Sequence, residues 1–153
     1  MHDTHDLDLL AGALIDLVGA LNSPRQDEVL LREAGVTLDR ALFPLLVRIA
    51  RAGSVGIVEL AGQAGRDHST ISRQVARLER LGLVARQAAA GDQRVREARI
   101  TEAGERLIAA ITGARRRLLG RLLANWSAQE RRSVAQLNRR LADAMKAALP
   151  PPG

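Results

Sequence analysis

The densest set of side chains able to do chemistry lies between residues 66 and 80. At helical spacing Ile71, Val75 and Leu78 mark one face, while Ser69, Thr70, Arg73, Gln74 and Arg77 mark the opposite one. Hydroxyl, amide and guanidinium groups in that pattern exchange hydrogen bonds and carry positive charge, which suits recognition of a polyanion. They do not suit catalysis. The adjacent His68-Ser69 pair cannot present a triad, and no glycine-rich phosphate loop follows a strand. Cysteine is absent, which excludes a disulfide scaffold, a Cys-based zinc site and a thiol switch. His2 and His5, close to the N-terminus, lack the three or four converging ligands that zinc requires. No catalytic residue, no metal and no cofactor are expected, so an enzyme is not. Aromatic residues are 1% of the chain, which argues against a reader that stacks single-stranded bases.

The charge is uneven. The net value is +6, with 22 arginines and one lysine. Residues 1–33 hold two arginines against seven carboxylates, a net of −5, which leaves +11 for the rest. A basic body points to a polyanionic partner, of which nucleic acid is the commonest; the alternative is a solvated basic surface favoured by GC-rich codons. Arg115, Arg116 and Arg117 read as such a solvated helix face, with contact to a nucleic-acid backbone as the alternative.

The elements that must position these residues follow from periodicity and punctuation. Leu7, Leu10, Leu14, Leu17 and Leu21 alternate spacings of three and four, a heptad seam that seeks a partner helix. Asn22-Ser23-Pro24 breaks it, and a second helix is expected from about Gln26 to Glu33, ended by Gly35. Thr37 is expected to cap a helix over Thr37–Arg51, closed by Ala52-Gly53-Ser54. A short helix carrying Ile57, Leu60, Ala61 and Ala64 precedes a turn at Gly65-Arg66, and Asp67 is a natural N-cap for a helix running to about Leu81. Short helix, glycine turn and longer helix with a polar outer face make a helix-turn-helix pattern. Two strands, Leu83–Gln87 and Val95–Ile100, with a loop over 88–94, then form a basic hairpin with Arg86, Arg94, Arg96 and Arg99, placed as a wing. Thr101 caps a long helix with Leu107, Ile108, Ile111, Leu118 and Leu122 on one stripe. Ser127 and Glu130 form a capping box for a last helix striped by Val134, Leu137, Leu141 and Met145. The segment Leu7–Leu21 is interrupted by Asp8 and Asp16 and has no basic run before it. No targeting or membrane segment is therefore expected, and the cytoplasm is the default compartment.

This order of elements resembles the multiple-antibiotic-resistance regulator (MarR) family of bacterial transcription factors, most clearly from Val58 to Leu107. Four stretches carry the likeness: Val58-Glu59-Leu60-Ala61, the run Asp67 to Glu79, Asp92-Gln93-Arg94 at the wing, and Ile100-Thr101 followed by Gly104. Ala88-Ala89-Ala90 and Gln93 depart from the family pattern at the wing tip, where Pro, Asp and a second Arg are common. The resemblance implies a mainly α chain with a small β-hairpin wing. Dimerisation helices would fall in 1–33 and 102–149, a winged helix-turn-helix lobe in 34–101 and a tail in 150–153. It implies a homodimer on a near-palindromic operator in double-stranded DNA, acting as a ligand-responsive repressor. DNA contacts would come from His68, Ser69, Thr70, Ser72, Arg73, Gln74 and Arg77 and from Arg94 and Arg96 on the wing, with Asp92 orienting the wing arginine. In this scheme Arg73 pairs with guanine, the Thr70 methyl meets thymine, Arg77 meets phosphate and Arg94 enters the minor groove. Dimer contacts would come from Leu7, Leu10, Leu14, Leu17, Leu21, Leu118, Leu122, Leu137 and Leu141. A small hydrophobic or aromatic-anion ligand would sit in an aliphatic cleft with Phe43 or Trp126 nearby. Two other readings stand beside this one: a winged-helix module for protein–protein assembly, and a nonspecific architectural DNA binder.

Overall fold

Side-chain caps, prolines and glycines mark several of the helix boundaries. The computed structural model describes residues 2–151, so part of the expected tail, residues 152 and 153, lies outside the described residues. Helix α1 spans His2–Leu21, starting earlier than the leucine seam alone suggests. Helix α2 spans Pro24–Ala34, with Pro24 in its first turn where a missing N–H costs nothing. Helix α3 spans Phe43–Ala52. Thr37 does not cap it, contrary to the expectation from sequence. Pro44 is the reason: inside a longer helix its ring would clash with the carbonyl of residue 40, whereas in the first turn it fits. Asp39 shapes the preceding turn, its Oδ1 accepting the Ala41 N–H at 2.9 Å.

Strand β1 (Ser54–Gly56) leads into α4 (Ile57–Ala64) and α5 (His68–Arg80), the latter pair joined through Gly65 at φ 64°. Strands β2 (Val84–Ala89) and β3 (Asp92–Ile100) form the hairpin. The sheet is antiparallel in the order β1-β3-β2, with Val55 opposite Ala98 and Arg86 opposite Ala98 on the other side. Two differences from expectation appear here. Among the described residues there are three strands rather than two: β1, only three residues long, exists through its pairing with β3. The loop is also shorter than 88–94, since Ala88 and Ala89 lie in β2 and residues 92–94 in β3. Backbone pairing overrides the weak β preference of alanine. Gly91, at φ 86°, closes the turn, and a register shift between Ala88 and Ala89 takes up the extra residues of β3.

Helix α6 spans Glu102–Leu122 and α7 spans Ala128–Ala148. Thr101 caps α6, its hydroxyl accepting the Gly104 N–H at 3.1 Å and donating to the Gly82 carbonyl at 2.7 Å. Ser127 and Glu130 make the reciprocal capping box on α7.

Residues 1–115 and 116–153 form two compact units, the division falling inside α6. The first holds the core: Leu42, Leu46, Ile49, Leu60, Ile71, Val75, Leu78 and Ile111 are almost wholly buried. At about 25 cal/mol per Å² of apolar surface, each such side chain favours the folded state by roughly 1.5–3 kcal/mol. In the second unit α7 buries none of its residues.

Gly104 is where α6 meets the end of the sheet. A Cβ there would overlap the Leu83 carbonyl oxygen and press on the Ile100 side chain, whereas one at Gly120 meets nothing. Helix propensity alone favours alanine over glycine by about 1 kcal/mol. Gly120→Ala should therefore gain up to that amount, while Gly104→Ala should lose about 1–3 kcal/mol through overpacking. Urea unfolding of both variants checks this; a gain at Gly104 would show that the contact relaxes freely.

Candidate nucleic-acid interface

Helix α5 starts at a carboxylate with three bonds. Asp67 Oδ2 accepts the Thr70 N–H at 3.0 Å and the Ser69 hydroxyl, and Oδ1 accepts the Thr70 hydroxyl at 2.6 Å. The Ser69 hydroxyl, then the Thr70 hydroxyl and N–H, hold the Asp67 carboxyl well below the usual carboxylate range. Both hydroxyl protons point back to the cap. Outward, Ser69 and Thr70 therefore offer acceptor lone pairs and the Thr70 methyl, a restriction that residue types alone do not reveal. Arg73 Nη2 approaches the Thr70 hydroxyl oxygen at 3.5 Å, at the limit of a hydrogen bond.

Burial sorts the remaining candidates on α5. His68, Ser69, Arg73 and Arg77 are exposed, and Thr70, Ser72 and Gln74 are half-buried. Gln74 lines a shallow recess with Pro44, Leu45, Arg48 and Arg66. The Ser72 carbonyl accepts Arg86 Nη2 at 2.6 Å, and Glu79 Oε2 accepts the Arg86 N–H at 3.2 Å.

That clasp sets Arg86 apart from the other basic residues of the hairpin: it turns inward onto α5. Its register partner is Ala98, which is wholly buried, so the period-two alternation of β2 aims Arg86 at the core side. The bond couples the hairpin to α5, although the buried Arg86 Nε has no partner and offsets part of the gain. Arg99 faces the other way, where its Nε donates to Gln87 Oε1 at 3.2 Å and Gln87 Nε2 donates to Glu97 Oε1 at 2.8 Å.

Arg94 and Arg96 are exposed on β3. Asp92 Oδ1 accepts the backbone N–H of Arg94 at 3.0 Å, so it fixes the chain beneath that arginine through the backbone amide. Arg77 is not free. Its Nη2 donates to Asp39 Oδ2 at 2.9 Å, across 38 residues of sequence. Ala41 N–H first, then Arg77, lower the Asp39 carboxyl from its ordinary range. Sequence reasoning missed Asp39 altogether, since no local pattern links it to α5. Among the described residues, no group of three or more His, Asp or Glu side chains could hold a metal ion.

A second recess, of about 250 Å³, is lined by Val47, Ala50, Arg51, Ile108, Ile111, Thr112 and Arg115. Four of its lining side chains are aliphatic, and three, Arg51, Thr112 and Arg115, are polar or charged. Phe43 is buried in the core, and Trp126, in the turn after α6, is not among the lining residues.

A helix-turn-helix followed by a β-hairpin defines a winged-helix protein. The family model described as MarR matches residues 38–95, which span α3 to β3. An uncharacterised HTH-type transcriptional regulator of Bacillus subtilis, YxaD, is 34% identical over 104 residues, covering 68% of this chain and 73% of that protein. Among solved structures, a MarR family protein from Bacillus stearothermophilus is 26% identical with a TM-score of 0.77, covering 94% of this chain and 97% of that one. The crystal structure of MarR is 27% identical with a TM-score of 0.66, covering 90% of this chain and 98% of that one. The chain belongs to the MarR family of winged helix-turn-helix, DNA-binding transcriptional regulators.

The cap on α5 makes a pH prediction. A carboxylate bound by three donors has a lower pKa folded than unfolded, where the value is about 3.9. Its stabilisation is therefore complete above that value and is lost as pH falls through the lower folded one. An NMR titration of the Asp67 carboxyl carbon should give a midpoint well under the ordinary aspartate range. A midpoint near 4 would mean that the three bonds do not form in solution.

Proposed function

We propose that this protein is a homodimeric transcriptional repressor in the cytoplasm that reads a near-palindromic operator in double-stranded DNA and responds to a small organic anion. The exposed face of α5 carries the reading: a helix whose apolar side is buried presents Ser69, Thr70, Arg73 and Arg77 outward from its capped end. In this assignment Arg73 pairs bidentately with guanine O6 and N7, and the Thr70 methyl packs on a thymine methyl. The Ser69 and Thr70 oxygens, with their protons given to Asp67, accept from the amino groups of adenine or cytosine. His68 and Arg77 meet phosphates, while Ser72 and Gln74 lie at the edges of the face. Arg94 enters the minor groove from the hairpin, with Arg96 beside it.

The dimer reading rests on apolar surface left uncovered in one chain. Leu7, Leu10, Leu17 and Leu21 of α1, Leu122 of α6 and Leu137 of α7 are each at least 41% exposed. Leu14, Leu118 and Leu141 are half-buried. Off the seam, Leu9, Ile15 and Val18 are exposed as well, so α1 is apolar on more than one side. Two-fold pairing would set two α5 helices about one DNA turn apart, roughly 34–36 Å. The effector site in this reading is the recess between α3 and α6, where Arg51 and Arg115 would meet an anionic group and Val47, Ile108 and Ile111 its apolar body.

Two expected outcomes follow. Arg73→Ala should cost about 1–3 kcal/mol in specific binding and relax base preference in each half-site, while Arg77→Ala should weaken all sequences alike and lower the salt slope by roughly 1 per protomer. Titrations against an operator selected from the source genome, and against its point variants, separate the two effects. A uniform loss in both mutants would remove Arg73 from the base-reading role. Leu137→Asp, at a site 59% exposed in the single chain, should leave the fold intact yet give a monomer by sedimentation. With linkage of the half-sites lost, operator affinity should fall by about 10²–10⁴-fold. A dimer that survives this change would move the interface away from α7.

A further inference from the structure

The Asp39–Arg77 pair sets a carboxylate beside the face of α5 assigned above to DNA. We propose that Asp39 competes with DNA for Arg77: it holds the guanidinium in the free protein and must release it to a phosphate, which lowers affinity for every duplex sequence alike. The inference rests on the reading of α5 as the DNA-facing helix.

Three observations carry it. The first is anchoring. Oδ1 of Asp39 accepts the Ala41 N–H and Oδ2 accepts Arg77 Nη2, both at 2.9 Å, so the turn itself holds the carboxylate in place. The second is exposure. Both side chains of the pair are 46% accessible, so the negative charge reaches the surface where a phosphate would approach. The third is position. Arg77 lies four residues after Arg73 and seven after Thr70, on the same helical stripe. A phosphate oxygen within hydrogen-bond reach of Arg77 in its present conformation therefore stands close to a like charge. Either the guanidinium leaves Asp39 or the two anions share it, and both routes cost affinity. Phosphate contacts carry no base information, so the cost is independent of sequence. A carboxylate serving only as a brace would give the opposite sign, because its removal would leave Arg77 poorly placed.

Asp39→Asn isolates the charge, since the amide oxygen can still accept the Ala41 N–H and keep the turn. The wild-type chain, Asp39→Asn, Arg77→Ala and the double variant are titrated against a random-sequence duplex and against the selected operator, with thermal melts to confirm folding. Exposed ion pairs are weak, so Asp39→Asn should tighten both duplexes by roughly two- to fivefold per protomer. The gain should shrink as salt rises and the charges are screened. It should also be smaller in the Arg77→Ala background, where only the residual repulsion of phosphate is left to remove. Unchanged or weaker binding by folded Asp39→Asn, with the wild-type chain binding normally, would overturn the competition and leave the DNA-facing assignment standing. An equal gain with and without Arg77 would overturn it as well, by showing that Asp39 acts on DNA alone. If the wild-type chain bound neither duplex, the DNA-facing assignment would fail and the proposal with it.

Discussion

Burial of Ile71, Val75 and Leu78 is the constraint on which the arrangement of this protein turns. All three are completely enclosed, and together they fix the rotation of α5 about its own axis. Each helical residue advances about 100°, so a rotation by one position would carry charged side chains toward an interior that contains no buried polar or charged residue among those described. The outward direction of Ser69, Arg73 and Arg77 is therefore decided by what the other side of the helix buries. The Asp67 cap then sets where the helix begins, and the Arg86 clasp ties the hairpin to it. Orientation, start and wing position thus come from three separate interactions of different kinds.

The carboxylates near the basic face are engaged mainly with hydrogen-bond donors close by in sequence. Asp67 holds two hydroxyls and an amide, Asp92 holds the Arg94 amide, and Asp39 holds the Ala41 amide. Such bonds fix backbone shape and leave guanidiniums to meet a polyanion. Asp39 differs in also taking an arginine from a distant helix. A surface built this way is basic in sum, yet its available positive charge is set by local geometry more than by counting arginines.

The two ends of the chain follow a different logic. In the first unit, apolar side chains of α3, α4, α5 and the sheet cover one another. Helices α1 and α7 instead keep leucines in solvent that one chain of this size does not cover. Exposed apolar stripes on folded helices are the kind of surface on which the proposed dimer would form. The two-fold pairing proposed above would cover these leucines and fix the spacing of two α5 helices.

Much of the fold was legible because its signals are local. Asp67 before α5, Thr101 before α6 and the Ser127–Glu130 box before α7 each satisfy backbone donors within three residues, so type and spacing suffice to find them. The buried stripe of α5 was legible for the same reason, since helical period alone brings Ile71, Val75 and Leu78 together. Pro44 was a local signal too, and it marks why α3 starts at Phe43 and not at Thr37. Only the tertiary structure decided the rest. Strand β1 exists because β3 lies beside it, and Gly104 is required because the Leu83 carbonyl comes close. Arg86 turns inward because Ser72 is there to receive it, and Arg77 is held because Asp39 arrives from 38 residues away. Contacts between segments far apart in sequence depend on where packing brings them, and one-dimensional spacing carries no record of that.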